Sequence, residues 1–505
     1  MFRYRRLTGG VLLLTLLLGA GSAQGDELFT KASGPSPFAP NCNGAPQTGV
    51  NYRNAEVEPW IAVNPRNQHN LIGVWQQDRW SNGGANGLLT GVSFDGGKTW
   101  RRTAAHFSRC AGGNPTNNGD YERVSDPWVT FGPTGIAYQI GLSFDDSDGN
   151  QAVLVSRSSD GGHNWSEPFV LARDTDFDIG LDKEAITADP HNPRYVYAVW
   201  DRLTGLLSTD PNDFTGPIWF ARTTNGGASW APARIIYDPG RDAQTISSQI
   251  AVLPNGDLVN VFAVFTNTSA NITANIAVIR SSDKGATWSQ PIIISSLESI
   301  GVSDPQTGDP VRTGDIVPDI AVDERNGAVY VVWQDARFSH GQRDGIVFAK
   351  SRDGGRSWSA PTQLNKVKRT QAFTAAIDVN DEGVIGVTYY DFRKDTADPN
   401  TLITTYWLTT SDDGGRTWNE QRVAAPFDIR TAPEARGLFV GDYEGLAHRG
   451  EQFTPFFALT NSGNLNNRTD IFIAVTEADD DRGHEREEVG VRRGNWAQRL
   501  KAPRR

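Results

Sequence analysis

Two cysteines, one methionine and seven histidines are all that a chain of 505 residues carries of its sulfur and imidazole side chains. His69, His106, His163, His191, His340, His448 and His484 show no His-x-x-His or His-Glu-x-x-His spacing, which argues against catalytic zinc. There is no Gly-x-Ser-x-Gly elbow and no phosphate-binding loop. There is no basic excess either: the formal charge is -11, so a surface that tracks nucleic-acid phosphates is not expected. Long apolar runs are also lacking. The longest, Val11–Leu18, is too short to span a bilayer, and no membrane span is expected. Preceded by Arg3, Arg5 and Arg6 and followed by Gly21-Ser22-Ala23, it reads as a cleaved secretory signal over residues 1–23, which implies a secreted or periplasmic chain. In that setting Cys42 and Cys110 are expected to form one disulfide between the N-terminal segment and the first repeat, the alternative being two free thiols.

Glycine (52 residues) and tryptophan (15 residues) are plentiful, and they recur together. The pattern SFDGGKTW at Ser93–Trp100 returns as SSDGGHNW at Ser158–Trp165, TTNGGASW at Thr223–Trp230 and SSDKGATW at Ser281–Trp288. It returns again as SRDGGRSW at Ser351–Trp358 and SDDGGRTW at Ser411–Trp418, with start-to-start spacings of 65, 65, 58, 70 and 60 residues. An Asp side chain accepts hydrogen bonds from turn amides, Gly tolerates positive φ, and the aromatic ring is expected to pack on its own strand pair. Two β-like runs precede each copy and a shorter one follows. The repeat is therefore a four-stranded meander of about 60 residues, a propeller blade.

A further unit without the motif begins at Gly437 and ends near Val475. The stretch Gly49–Asn54 is a candidate fourth strand for it, closing the ring so that no sheet edge is left open. The expected fold is thus an all-β propeller of four-stranded blades, seven in number, with six as the alternative. Residues 24–54 are an N-terminal segment with the candidate ring-closing strand, and 55–476 are the propeller. Residues 477–505 are a disordered charged tail.

The motif copies resemble the Asp boxes of the sialidase (BNR repeat) superfamily, over roughly residues 55–476. That resemblance implies a propeller and a glycan partner. It implies most directly an exo-sialidase-like glycoside hydrolase acting on terminal acidic sugars. A non-catalytic carbohydrate- or protein-binding propeller and a polysaccharide lyase are the alternatives. Such enzymes grip a carboxylate with arginines, use a tyrosine activated by a glutamate, and use an aspartate as acid/base. Their early Arg-Ile-Pro tripeptide is missing here; the nearest echo is Arg312 with Ile316-Val317-Pro318.

Meander topology puts the motif turns on one rim and the second-to-third and unit-to-unit connections on the other. The second rim carries a repeated aromatic-Asp-Arg pattern: Trp75/Asp78/Arg79, Trp200/Asp201/Arg202, Trp333/Asp335/Arg337 and Tyr390/Asp391/Arg393. Charged residues also recur at the starts of the first strands: Glu56 and Glu58; Glu122, Arg123 and Asp126; Asp182, Lys183 and Glu184; Asp315 and Asp319; Asp442, Tyr443 and Glu444. Guanidinium groups suit a carboxylate or sulfate, and clustered carboxylates can divide acid and base roles. Arg79, Arg123, Arg202, Arg337 and Arg393 are the candidate substrate-binding residues. Asp78 is the candidate acid/base, and Tyr443 or Glu184 the candidate nucleophile. The repetition of Asp and Arg equally suits a brace between units. No cofactor is implied, although a calcium ion in the axial carboxylate ring is compatible with the pattern.

Overall fold

A computed structural model describes residues 29–268 and 271–474; the secretory signal and the charged tail expected from 477 lie outside these residues. Regular structure among the described residues is almost entirely β, with four 3-10 turns of three residues each. None of its helices is long and apolar enough to cross a membrane.

The strands pair in consecutive antiparallel groups, as the 60-residue meander predicts. In the second group, for example, Arg123–Phe131, Ala137–Phe144, Gln151–Ser158 and Phe169–Asp174 pair in chain order. The first strands of successive groups are Asn51–Val63, Arg123–Phe131, Ile179–Ala188, Ala243–Val252, Asp319–Val322, Ala372–Val379 and Gly445–Arg449. Each of these strands lies beside the next, and the last lies beside the first. That cyclic neighbourhood is the geometry of a propeller, with the first strands around the axis.

The ring closes differently from expectation. Phe29–Lys31 supplies the outer strand of the last group, running antiparallel to Thr469–Ala474 with Phe29 opposite Ala474. Most of the Gly49–Asn54 stretch instead belongs to the 13-residue strand Asn51–Val63, which opens the first group. Cys42 and Cys110 are joined, which pins the N-terminal segment to the connection between the first and second groups.

The motif turns satisfy themselves. Asp95 accepts from the Thr99 amide at 2.9 Å and the Thr99 hydroxyl at 2.6 Å, while the Gly97 amide donates to Ser93 Oγ at 2.8 Å. Hydrogen bonds from Thr287 hold the Asp283 carboxyl down to about 2. The tryptophans reach further than their own strand pair. Trp288 meets Phe220 edge-on at 5.7 Å, and Trp418 meets Phe348 at 5.3 Å; in each case the partner belongs to the preceding group. A Cβ on Gly415, whose φ is +79°, would stand 2.6 Å from the Phe348 ring. The glycine is needed both for the turn and for this close approach, so each motif also locks one group to the one before it.

Candidate functional site at the pore mouth

Where the first strands reach the axis they bulge. The pairing register slips at Val57/Trp60, Ser125/Trp128, Asp182/Ala185, Ile246/Gln249 and Phe373/Ala376. At each slip one residue takes a left-handed backbone: Glu58, Asp126, Lys183, Ser247 and Thr374, with φ from 49° to 61°. Such conformations cost on the order of 1–3 kcal/mol and persist only where the surroundings impose them. Here they bring three charged side chains together at one end of the pore.

Lys183 is the centre of this layer. Its Nζ lies 2.8 Å from Asp126 Oδ1, 2.8 Å from Asp442 Oδ2 and 3.6 Å from Glu58 Oε1. Arg312 binds Asp442 with both ends of its guanidinium, Nε at 2.9 Å from Oδ1. The calcium ion compatible with the sequence is thus matched by the chain's own ammonium group among the axial carboxylates. No set of three or more His, Cys, Asp or Glu side chains among the described residues is arranged to hold a metal. Below the layer Trp60 stacks on Trp128, ring centroids 3.4 Å apart, and Tyr443 leans on both. This aromatic plug desolvates the charges above it. Burial pushes Glu58 up to about 7, against the pull of Lys183. It pushes Asp182 up to about 6, with the Asp126 charge adding to the effect. Asp442 has the opposite fate: Lys183 and Arg312 overcome its burial and hold it far below the usual range.

Two cavities open above this layer. The larger, about 1380 Å³, is lined by Asp182, Lys183, Arg312, Asp315, Arg343, Arg369, Arg393, Arg436 and Asp442 among others. Its walls come from the connections between groups. Pro310–Arg312 pairs in parallel with Leu438–Phe439, which joins the link before the fifth group to the link before the seventh. Phe439 is sandwiched between Arg312 and Arg79, at 4.5 and 5.0 Å. Arg436, itself left-handed at φ 65°, precedes this bridge. Arg369 and Arg436 are exposed, and neither has a hydrogen bond or ion pair among the described residues. Cavity-lining guanidinium groups of this kind suit an anionic ligand.

The residues predicted from sequence fall into two sets. Asp126, Asp182, Lys183, Asp442 and Glu58 do converge at the mouth. The aromatic-Asp-Arg pattern mostly acts as a brace. Arg202 binds Asp174 of the preceding group through two 2.9 Å hydrogen bonds, and Arg337 binds Asp335 and Ser295. Arg393 is held by Asp391 and Glu420 and stacks 3.7 Å over Trp407, although it also edges the large cavity. Arg123 is fully buried, bound to Asp146, Gln47 and Asn82. Arg79 lines the smaller cavity while donating to Gln76 and to the Gly84 carbonyl. Asp78 is completely buried, accepting from the Asn54 amide at 2.8 Å, from Ser36 Oγ at 2.6 Å and from Asn86. Tyr443 donates to the Pro127 carbonyl at 3.3 Å, and burial raises its phenol well above the ordinary value. Glu184 is buried with neither oxygen hydrogen-bonded, and desolvation pushes its carboxyl well above the ordinary carboxylate range. Sequence reasoning did not single out Arg343, Arg369 and Arg436. The 70-residue spacing between the fourth and fifth motifs, the longest of the five, marks the inserted connection bearing Arg312, but no spacing marks Arg369 or Arg436.

No protein-family model matches the chain, and no curated protein matches it. Similar solved structures include a complex of the α-L-arabinofuranosidase Arb93A of Fusarium graminearum with an iminosugar inhibitor (15% identity, 67% of this chain and 89% of that one, TM-score 0.45). They also include the Hadza microbial sialidase Hz136 (17%, 81% and 74%, TM-score 0.45). A third is a Penicillium chrysogenum α-L-arabinanase complexed with arabinobiose (13%, 84% and 98%, TM-score 0.42). At these values the similarity assigns no activity or substrate to this chain.

Proposed function

We propose that this chain is an exported, seven-bladed propeller that binds acidic glycans at the pore mouth and hydrolyses them there. The observation that carries this reading is the divergence of two carboxylates in one arginine-lined cavity. Asp182 is pushed up to about 6, whereas Asp442 is held far below the usual range and stays ionised. Environments that separate two carboxyl groups in this way divide the roles of acid and anion. Asp182 gives its proton to the glycosidic oxygen as the C–O bond breaks. Water supplies the hydroxyl at the anomeric carbon and releases its other proton to solvent, from which Asp182 is reprotonated. Asp442 remains ionised and offsets the positive charge that develops there. Arg436 and Arg369 orient the ligand's carboxylates. Asp182 thus takes the acid role proposed for Asp78 on the sequence, because Asp182 lines the cavity and Asp78 is enclosed.

The test is incubation of the purified mature chain with polysialic acid, polygalacturonate and hyaluronan, following new reducing ends and ultraviolet absorbance together. New reducing ends without absorbance are the expected result. Reducing ends with an unsaturated, absorbing product mean elimination and overturn hydrolysis. No product with retained binding reduces the reading to recognition alone.

A further inference from the structure

The second cavity, about 430 Å³, lies on the side of the mouth formed by the first three groups. Its lining includes Arg79, Asp126, Asp145, Asp146, Phe144 and Phe177. Asp182, Lys183, Arg312 and Arg436 line both cavities, so the same four side chains form the shared boundary between them. The two cavities therefore make one trough across the pore mouth, entered from the fifth and sixth groups on one side and the first and second on the other. The larger part alone exceeds the roughly 300–1,000 Å³ of an ordinary small-molecule site.

The two ends differ chemically. The larger carries the free guanidinium group of Arg369, with that of Arg436 on the boundary. The smaller presents Phe177, a ring 55% exposed to solvent beside Gly149, where a Cβ would come within 3.2 Å of that ring. An exposed aromatic ring at a polar cavity suits the apolar face of a pyranose, as aromatic side chains combine large contact area with little loss of side-chain freedom.

We infer that the trough holds the interior of a polyanionic glycan chain laid across the mouth. Carboxylates lie at Arg369 and at Arg436 on the boundary, and a further sugar stacks on Phe177. This rests on the proposed function and deepens it: the ligand is a polymer segment, not the terminal sugar that the sequence resemblance implies. Asp182, on the shared boundary, then faces an internal linkage.

The experiment is calorimetric binding of oligosialic acid and oligogalacturonate, from one to eight units, to the full mature chain and to Phe177→Ala and Phe177→Trp. In the series that binds, affinity is expected to rise at least tenfold between two and six units. Phe177→Ala should remove most of that gain, and Phe177→Trp should keep it. Because Phe177 is exposed, the variants should fold like the parent, as far-ultraviolet circular dichroism would verify. A ligand that binds equally well at two and six units, or a gain that survives Phe177→Ala, overturns the extended trough and leaves the acidic-glycan reading in place. Failure of both series to bind at any length overturns both.

Discussion

Asp182→Asn is expected to lower the hydrolysis rate by about 10²–10⁴-fold with little change in ligand affinity, the range typical of losing a positioned general acid. The amide keeps the size and hydrogen-bonding capacity of the side chain but has no proton to give. In the parent, burial and the Asp126 charge push this carboxyl up to about 6, so the neutral acid is the form present below that value. Activity should therefore fall as pH rises through about 6, and the residual activity of the variant should lack that limb. A parent profile flat to pH 8, or a variant of near-parental rate, would remove Asp182 from the acid role.

The other large effect concerns stability. Lys183→Met is expected to cost about 3–5 kcal/mol, because it leaves buried carboxylates without the cation they surround. Asp126 and Asp442 lose partners at 2.8 Å and Glu58 one at 3.6 Å, and only Arg312 still binds Asp442. In the variant Glu58, already pushed up by burial, loses the cation that opposes the push and holds its proton more tightly folded than unfolded, so stability falls as pH rises. The deficit should be largest near pH 8 and shrink towards pH 5, which urea unfolding at both values would show. A deficit that is independent of pH would mean that the methionine fails for steric reasons.

What the sequence made legible follows from what repeats. The motif turns and the axial acidic positions recur in unit after unit, so spacing alone placed them on opposite rims and brought Asp126, Asp182, Lys183 and Asp442 into one neighbourhood. The same repetition drew the choice toward arginines that brace the groups. Arg202, Arg337 and Arg393 recur because each group must tie the end of its second strand to an outer strand, and that task uses up their guanidinium groups. A ligand site on a ring of similar units depends on what breaks the symmetry. Arg312, Arg369 and Arg436 lie in irregular connections, where no period marks them. The bulges were hidden for a different reason. A left-handed Glu58 or Lys183 has no sequence signature of its own, yet it helps bring their side chains to the axis. Phe29–Lys31 escaped notice as the closing strand because three residues are too few to show alternation.

The most direct test of the central claim, that the mouth recognises anionic sugars through uncommitted guanidinium groups, is a pair of titrations. The glycan that binds best would be compared calorimetrically with its carboxyl-reduced, neutral counterpart, on the parent and on a chain carrying Arg369→Ala and Arg436→Ala together. The account predicts that the parent binds the acidic form at least tenfold more tightly than the neutral one, and that the double variant loses most of this preference. Equal affinity of the parent for the two forms would contradict it.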